Sequence, residues 1–454
     1  MEKTHTQHIL ILITNPFAML NVVHSGLMRE LGRTYRVSVM SNLLSEADVA
    51  HLNAHFQLHM RLLKCPIPRI SRYLKWLRAF QAALFAHFFR LETFRIKLAE
   101  RHRILAWLFR MTGNSPALRA CSGWLLIWLR HRLINRTSRS RARLPGAHCF
   151  AAVISTSPLD LRENRIVNAL KTRGTRCIAM IISWDNLTSK GIINAAPDLV
   201  LVWNKLMADE YEQLYSLFGN VGALRMTGVP RFGIYAKPPD PLKVAVFRGK
   251  LGIVPRACVI LFSTGAVKHH VCQDYVIEDL LEYARTRPEV VIMVRCHPGD
   301  EPGKYERFSG YKNLRFLPSF RQCKEDIPPS DFLETLQIQL AASQVCIQIA
   351  STMLLDAAAC DKPVISIAYD AHPQVPYRAS VRRFYDYAHY QPLRLLLKEN
   401  IVHDRTALFA KLDALAENGW QAPKWQSVLK TVMNLSTPEP ARTTAQCIQE
   451  WLDA

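Results

Sequence analysis

The sequence predicts an α/β protein with two parallel-sheet domains, and three observations carry that reading. Short apolar runs recur through both halves, separated by helical patterns or turn residues. A proline-rich segment, AKPPDP (residues 236–241), divides the two series. At 454 residues, 49% of them hydrophobic, the chain is long enough for two or three cores.

The first run, HILILITN (residues 8–15), reads as a buried strand that ends at Asn15-Pro16. Its apolar stretch ILILI is too short for a secretory signal. A helical stretch over about residues 21–31 and a second strand, YRVSVM (35–40), follow. The NPFAMLN loop lacks the glycines of a dinucleotide fingerprint, which argues against a nicotinamide site at this end. Residues 69–143 read as helix, with apolar and aromatic residues three and four apart among arginines. No uncharged run there reaches the ~20 apolar residues of a membrane span. Strands resume at FAAVIST (150–156), RCIAMIIS (176–183) and DLVLVW (198–203), with a polar loop, SWDNLTSKG (183–191), between the last two. RMTGVPRF (225–232) leads into AKPPDP.

The expected domains are 1–237, carrying the helical segment 61–145, and 238–435, with 436–454 as a terminal helix packing back on the first domain. Strands of the second domain are expected at CVILFST (258–264), VVIMVRCHP (290–298), NLRFLP (313–318), SQVCIQIAS (343–351) and PVISIAY (363–369). Strands alternating with helices in both halves imply two sheets facing across a cleft.

Two strand ends carry chemistry. In IASTMLLDAAACDKPVISI (349–367), Ser351 and Thr352 stand where a helix begins. Free N–H groups and the positive end of the helix dipole converge there, which makes the hydroxyl pair an anion site as well as an N-cap. His297, in RCHP, adds a donor that is neutral or charged near physiological pH. Together they suggest a pocket for a diphosphate.

The net charge of +21 is local. Between Arg61 and Pro145 there are 19 Lys/Arg against two acids, Glu92 and Glu100, together with eleven aromatics. Three readings stay open: a helical core with a solvated arginine face, a surface lying on anionic membrane, or a nucleic-acid patch. No RNA-binding signature accompanies the patch, which weighs against nucleic acid. Eleven cysteines without a Cys-x-x-Cys pair argue for a reducing compartment, and no Cys/His cluster supports a zinc site.

TGVPRF, STG, RCHP and ST…D…DKP, in that order over residues 184–370, resemble the GT-B-fold glycosyltransferases. The likeness is nearest the branch of CDP-glycerol glycerophosphotransferases and surface-polysaccharide transferases. It implies two Rossmann-like domains with a basic helical insertion in the first, and a nucleotide-activated donor in the second. By the same resemblance His297, Ser351 and Thr352 contact the diphosphate, and Asp356 accepts bonds from ribose hydroxyls. Ser263, Thr264 and Gly265 line the phosphates, and Arg295, Lys268, His269 and His270 offset leaving-group charge without a metal or other cofactor. The chain departs from the pattern at Asp361, where many relatives have glycine, and it lacks the acidic motif of non-hydrolysing UDP-N-acetylglucosamine 2-epimerases.

An inverting transfer needs a general base from the first domain. His24 and Asp185 are the candidates, with Trp184, Asn186, Thr188 and Lys190 around the acceptor or a phosphate. The expected function is transfer of a sugar from a nucleotide donor to a glycan or lipid-linked acceptor. It would act as a cytoplasmic, peripheral enzyme at the inner membrane face. The rivals are a CDP-glycerol-type polyol phosphate transferase and a non-catalytic membrane or nucleic-acid binding protein.

Overall fold

A computed structural model describes residues 7–63, 67–138, 150–219, 222–266, 272–300, 302–320 and 327–454. Lys268, His269 and His270 lie outside the described residues. The chain divides into two compact units: Met1–Gly233 with Thr437–Ala454, and Ile234–Ser436.

The first unit holds a seven-stranded parallel sheet of β1 (His8–Ile13), β2 (Arg36–Ser41), β3 (Arg61–Leu62), β4 (Ala152–Ser155), β5 (Arg176–Met180), β6 (Leu199–Val202) and β7 (Ala223–Met226). Its order is β3-β2-β1-β4-β5-β6-β7, so the direction of growth reverses between β1 and β4. Residues 9–13 are at most 1% exposed. Such unbroken apolar runs are what strands covered on both faces require.

The helix expected over 21–31 is broken. Pro16–Met19 is α-helical, Leu20–His24 forms a π-turn, and Leu27–Leu31 resumes after Gly26 at φ +83°. That Gly26 conformation disfavours side-chain residues and sets the break.

Between β3 and β4 the basic segment folds as four helices, Arg72–Phe88, Glu92–Arg101, Arg103–Gly113 and Pro116–Ser138. Leu77 of the first and Leu129 and Leu133 of the last pack together in one hydrophobic cluster. Buried Arg130 fastens this layer to the sheet side by donating to the carbonyls of Ile193 (3.2 Å) and Ala195 (2.8 Å). Gln81 and Asn194 exchange amide hydrogen bonds at 2.7 and 2.9 Å. The outer faces leave large apolar side chains in water, among them Ile104 (75% exposed) and Trp124 (79%). Among the described residues no helix is long and apolar enough to cross a membrane.

The Pro440–Asp453 helix belongs to this unit. Arg176 stacks its guanidinium 3.9 Å from the Trp451 ring centroid and donates to the Leu452 carbonyl at 2.8 Å.

The second unit holds β8 (Cys258–Ser263), β9 (Val290–Arg295), β10 (Leu314–Leu317), β11 (Val345–Gln348), β12 (Val364–Ile367) and β13 (Ile401–Val402). Their order, β10-β9-β8-β11-β12-β13, reverses between β8 and β11. Strands β3, β7 and β13 add to those expected from sequence. Two of them are only two residues long, and β7 (ALRM) carries half-buried and exposed positions, so no apolar run marks any of the three.

At the reversal of the first sheet, Glu163 is fully buried and ties the ends of β1 and β4 together. It accepts from the Thr14 hydroxyl, the Ser155 hydroxyl (2.6 Å) and the Ser157 amide (2.8 Å). Burial pushes its carboxyl up to about 7, against the opposing pull of those donors. A carboxyl that holds its proton more tightly folded than unfolded stabilises the acid side, and this contribution is lost as pH rises from about 4.3 through about 7. We predict that wild type loses stability relative to Glu163→Gln by about 1.4 kcal/mol per pH unit across that window. Urea unfolding at pH 5 and pH 8 checks this; parallel stabilities for the two proteins would contradict it.

Candidate functional site

In sheets that reverse order, ligands bind beyond the carboxyl ends of the strands at the reversal. In the second unit that place is formed by the residues after β8 and β11, flanked by those after β9. The β8 end, Ser263-Thr264-Gly265, is knitted to the β9 end. The Thr264 hydroxyl donates to Asp300 at 2.6 Å and accepts the His297 amide at 2.9 Å. Tyr305 donates to the same Asp300 oxygen at 2.7 Å. Gly265 is clamped by Gln273, whose side chain accepts its N–H (2.6 Å) and donates to its carbonyl (2.9 Å).

Ser263, Thr264 and Gly265 therefore hold the site's shape, with both hydroxyl residues at most 2% exposed. The Thr264 and Gly265 bonds run within the protein.

His297 is half-buried, and its Nδ1 accepts the Gly299 amide at 2.8 Å. That bond leaves the neutral ring's proton on Nε2. Across the reversal, the Ser351 amide donates to Gln348 at 2.5 Å, and its hydroxyl accepts the Met353 amide at 3.2 Å. Thr352 is the N-cap of the Met353–Ala359 helix, and its side chain makes no capping bond. Ala350 just before them sits at φ +41°, a left-handed conformation that Tyr385 braces by accepting the Ala350 amide at 3.2 Å. Asp361 takes φ +54° at the helix's far end, so this aspartate adopts the left-handed turn that glycine favours.

Asp356 is 2% exposed and accepts the Tyr235 hydroxyl at 2.7 Å. Arg295 donates to Gln339 at 3.0 Å, and burial lowers its pKa while the Asp356 charge opposes that shift. The helix periodicity that set Asp356 one turn beyond Ser351 carries it into the unit's interior. There its charge opposes the lowering of the Arg295 pKa.

In the first unit, SWDNLTSKG follows β5 and contains a helical turn, Asn186–Ser189. Asp185 is gripped by two hydroxyls, Ser183 on one oxygen (2.5 Å) and Ser189 on the other (2.7 Å). Trp184, Asn186 and Thr188 are buried and Lys190 is exposed. Asn186 Oδ1 has no hydrogen-bond partner among the described residues. His24 ends the π-turn after β1, its ring 5.2 Å from that of Phe56. Strand β4 separates β1 from β5, so the two base candidates stand on different loops.

Sequence reasoning missed Glu210, on the Lys205–Tyr215 helix. Burial first, and then the charge of Asp185, push its carboxyl up to about 8, and its Oε2 has no hydrogen-bond partner among the described residues. Asp185 on the loop and Glu210 on the helix thus form a pair of interacting carboxyls, an arrangement that holds one proton near neutral pH. Nothing local marks Glu210, which lies 25 positions beyond Asp185 on another element.

No protein-family model matches the chain, and no curated protein does. Solved structures do. UDP-GlcNAc 2-epimerase from Neisseria meningitidis, bound to UDP-GlcNAc, is similar at TM-score 0.55 and 10% identity, covering 98% of this chain and 99% of that one. S. aureus MnaA, in a structure with UDP, is similar at 0.55 and 8%, covering 99% and 97%. Anabaena HepE, in complex with UDP and glucose, is similar at 0.50 and 12%, covering 99% and 100%. The likeness is one of fold: the chain has the GT-B fold of two Rossmann-like units.

Thr264→Val leaves the His297 amide without its acceptor and Asp300 without one donor. The expected loss is about 1–3 kcal/mol of unfolding free energy, with Thr264→Ser near wild type. Chemical denaturation measures it, and a neutral Thr264→Val would remove the knitting role.

Proposed function

We propose that the protein is a glycosyltransferase that holds a nucleotide-sugar at the sheet reversal of its second unit. One observation carries this reading: His297 follows β9 and Ser351 and Thr352 follow β11, the two strands that flank β8 at the reversal, with the first loop tied by Thr264 and the second by Gln348 and Tyr385. The likeness in fold to proteins solved with UDP or UDP-GlcNAc supports it. In this reading His297 Nε2 and the two hydroxyls meet the diphosphate, and their fixed dipoles stabilise the charge that develops as it leaves. No metal enters the proposal.

Asp185 is the proposed base. Its two serine donors orient it, as removal of a proton from an acceptor hydroxyl requires. The oxygen then attacks the anomeric carbon while the nucleoside diphosphate departs. His24 stands as the other candidate base, and Trp184, Asn186, Thr188 and Lys190 surround the acceptor.

A second reading, epimerisation of the nucleotide-sugar, is favoured by the likeness in fold to UDP-GlcNAc 2-epimerase from Neisseria meningitidis at TM-score 0.55. The two differ in product: a transferase releases nucleoside diphosphate only with an acceptor, whereas an epimerase returns a new nucleotide-sugar without one. Release of CMP from CDP-glycerol would instead select polyol phosphate transfer.

A thermal-shift series over nucleotides and nucleotide-sugars tests the donor site. A ligand bound only by the native state at 100 times its Kd adds about 2.7 kcal/mol. The expected result is a shift with one nucleotide series that His297→Ala reduces. No shift with any nucleotide at millimolar concentration would sink the donor reading.

The helical segment 61–145 is the proposed contact with anionic membrane at the inner face. Exposed Trp76, Trp107, Trp124 and Trp128 suit the lipid interface, and the surrounding arginines suit phosphate headgroups. Vesicle flotation should depend on anionic lipid, weaken with salt and fall with Trp107→Ser/Trp124→Ser. Equal binding to neutral vesicles contradicts the electrostatic part.

A further inference from the structure

A cavity of about 710 Å³ lies within the first unit, under the Arg72–Phe88 helix. Its volume falls in the range of small-molecule sites. One wall is SWDNLTSKG itself, through Thr188, Ser189, Lys190 and Gly191. The same loop therefore carries Asp185 on one stretch and lines this cavity with the next. Gly191, at φ +89°, supplies the turn that brings the loop against Ala82.

The lining is divided by chemistry. Arg69, Lys75, Arg78, Lys97 and Lys190 bring cations, while the one acid among the described wall residues, Asp160, is committed to Arg162 at 2.6 Å. Ala82, Phe85, Leu91 and Phe94 bring hydrocarbon. Arg78 is locked by donating to the carbonyls of Leu159 and Lys190 (3.1 Å), and Lys97 reaches the Ser189 carbonyl at 3.5 Å. Burial lowers the Arg78 pKa, with the Asp160 charge opposing that shift. Beside Lys75, Trp76 stacks on Phe80 with centroids 5.8 Å apart, and both rings are exposed.

A site for a free anion has no use for an aromatic and aliphatic floor, and a site for a neutral hydrocarbon has no use for five cations. We propose that this cavity binds a phosphate-bearing lipid, the phosphate among Arg69, Lys75 and Arg78 and the chain over Ala82, Phe85 and Phe94. This rests on the transferase reading and names the acceptor class: a lipid-linked phosphate or diphosphate whose head lies beside the Asp185 loop.

Calorimetry on the full chain tests it with three probes: farnesyl diphosphate, pyrophosphate and farnesol. Farnesyl diphosphate is expected to bind at least ten-fold more tightly than either half alone. Arg69→Glu/Lys75→Glu should weaken it at least ten-fold, and so should Ala82→Trp, which fills the floor while sparing the cations. If Ala82→Trp fails to fold, the charge pair decides. Equal affinity for farnesyl diphosphate and pyrophosphate overturns the proposal in favour of a plain anion site, as does lipid binding that the charge pair leaves unchanged. The thermal shift with nucleotide is read in parallel. Its persistence in variants that lose the lipid locates the loss in this cavity, and its absence in wild type speaks against the donor reading alone.

Discussion

Parallel strands covered on both faces have no room for unpaired polar groups along their length, so the proposed mechanism draws its side chains from the loops at their carboxyl ends. Everything else follows from where each sheet changes direction. In the second unit the change falls between β8 and β11 and gathers Thr264, His297, Ser351 and Thr352. In the first it falls between β1 and β4, with the Asp185 loop one strand further on.

Loops in that position are useful only if they hold still, and both units solve this with a buried carboxylate. Glu163 gathers three donors from the ends of β1 and β4, and Asp300 gathers the Thr264 and Tyr305 hydroxyls at the ends of β8 and β9. In the proposed mechanism neither touches a ligand. Their work is to leave the side chains that do so in one geometry before anything binds, which is where electrostatic catalysis gains most. The Asp356–Tyr235 bond beside half-buried Arg295 extends the same logic into the interior.

The fold was legible because its main signal is local. Unbroken apolar runs such as ILILI and VVIMV can be read without knowing their neighbours, and a proline-rich break separates the two series. Strands β3, β7 and β13 escaped because short or edge strands lack such a run. The site was legible in type but not in role. His297, Ser351 and Thr352 could be placed at strand ends from sequence, whereas Asp356 turned inward because helix phase relative to the sheet is set by packing. Glu210 and the lipid-sized cavity were invisible for a stronger reason. Both exist only where segments far apart in sequence meet, the cavity where residues 69–97 lie against 160–162 and 188–191. The excess of arginine and tryptophan over 61–145 was plain in the sequence, but which of those side chains face water required the structure.

The central claim is that a nucleoside diphosphate sits at the sheet reversal of the second unit. Photo-crosslinking with an azido-uridine diphosphate probe, followed by peptide mapping, tests it most directly. Label is expected on peptides spanning 263–265, 297–300 or 350–353, displaced by unlabelled UDP. Displaceable label confined to residues before 234 would contradict it.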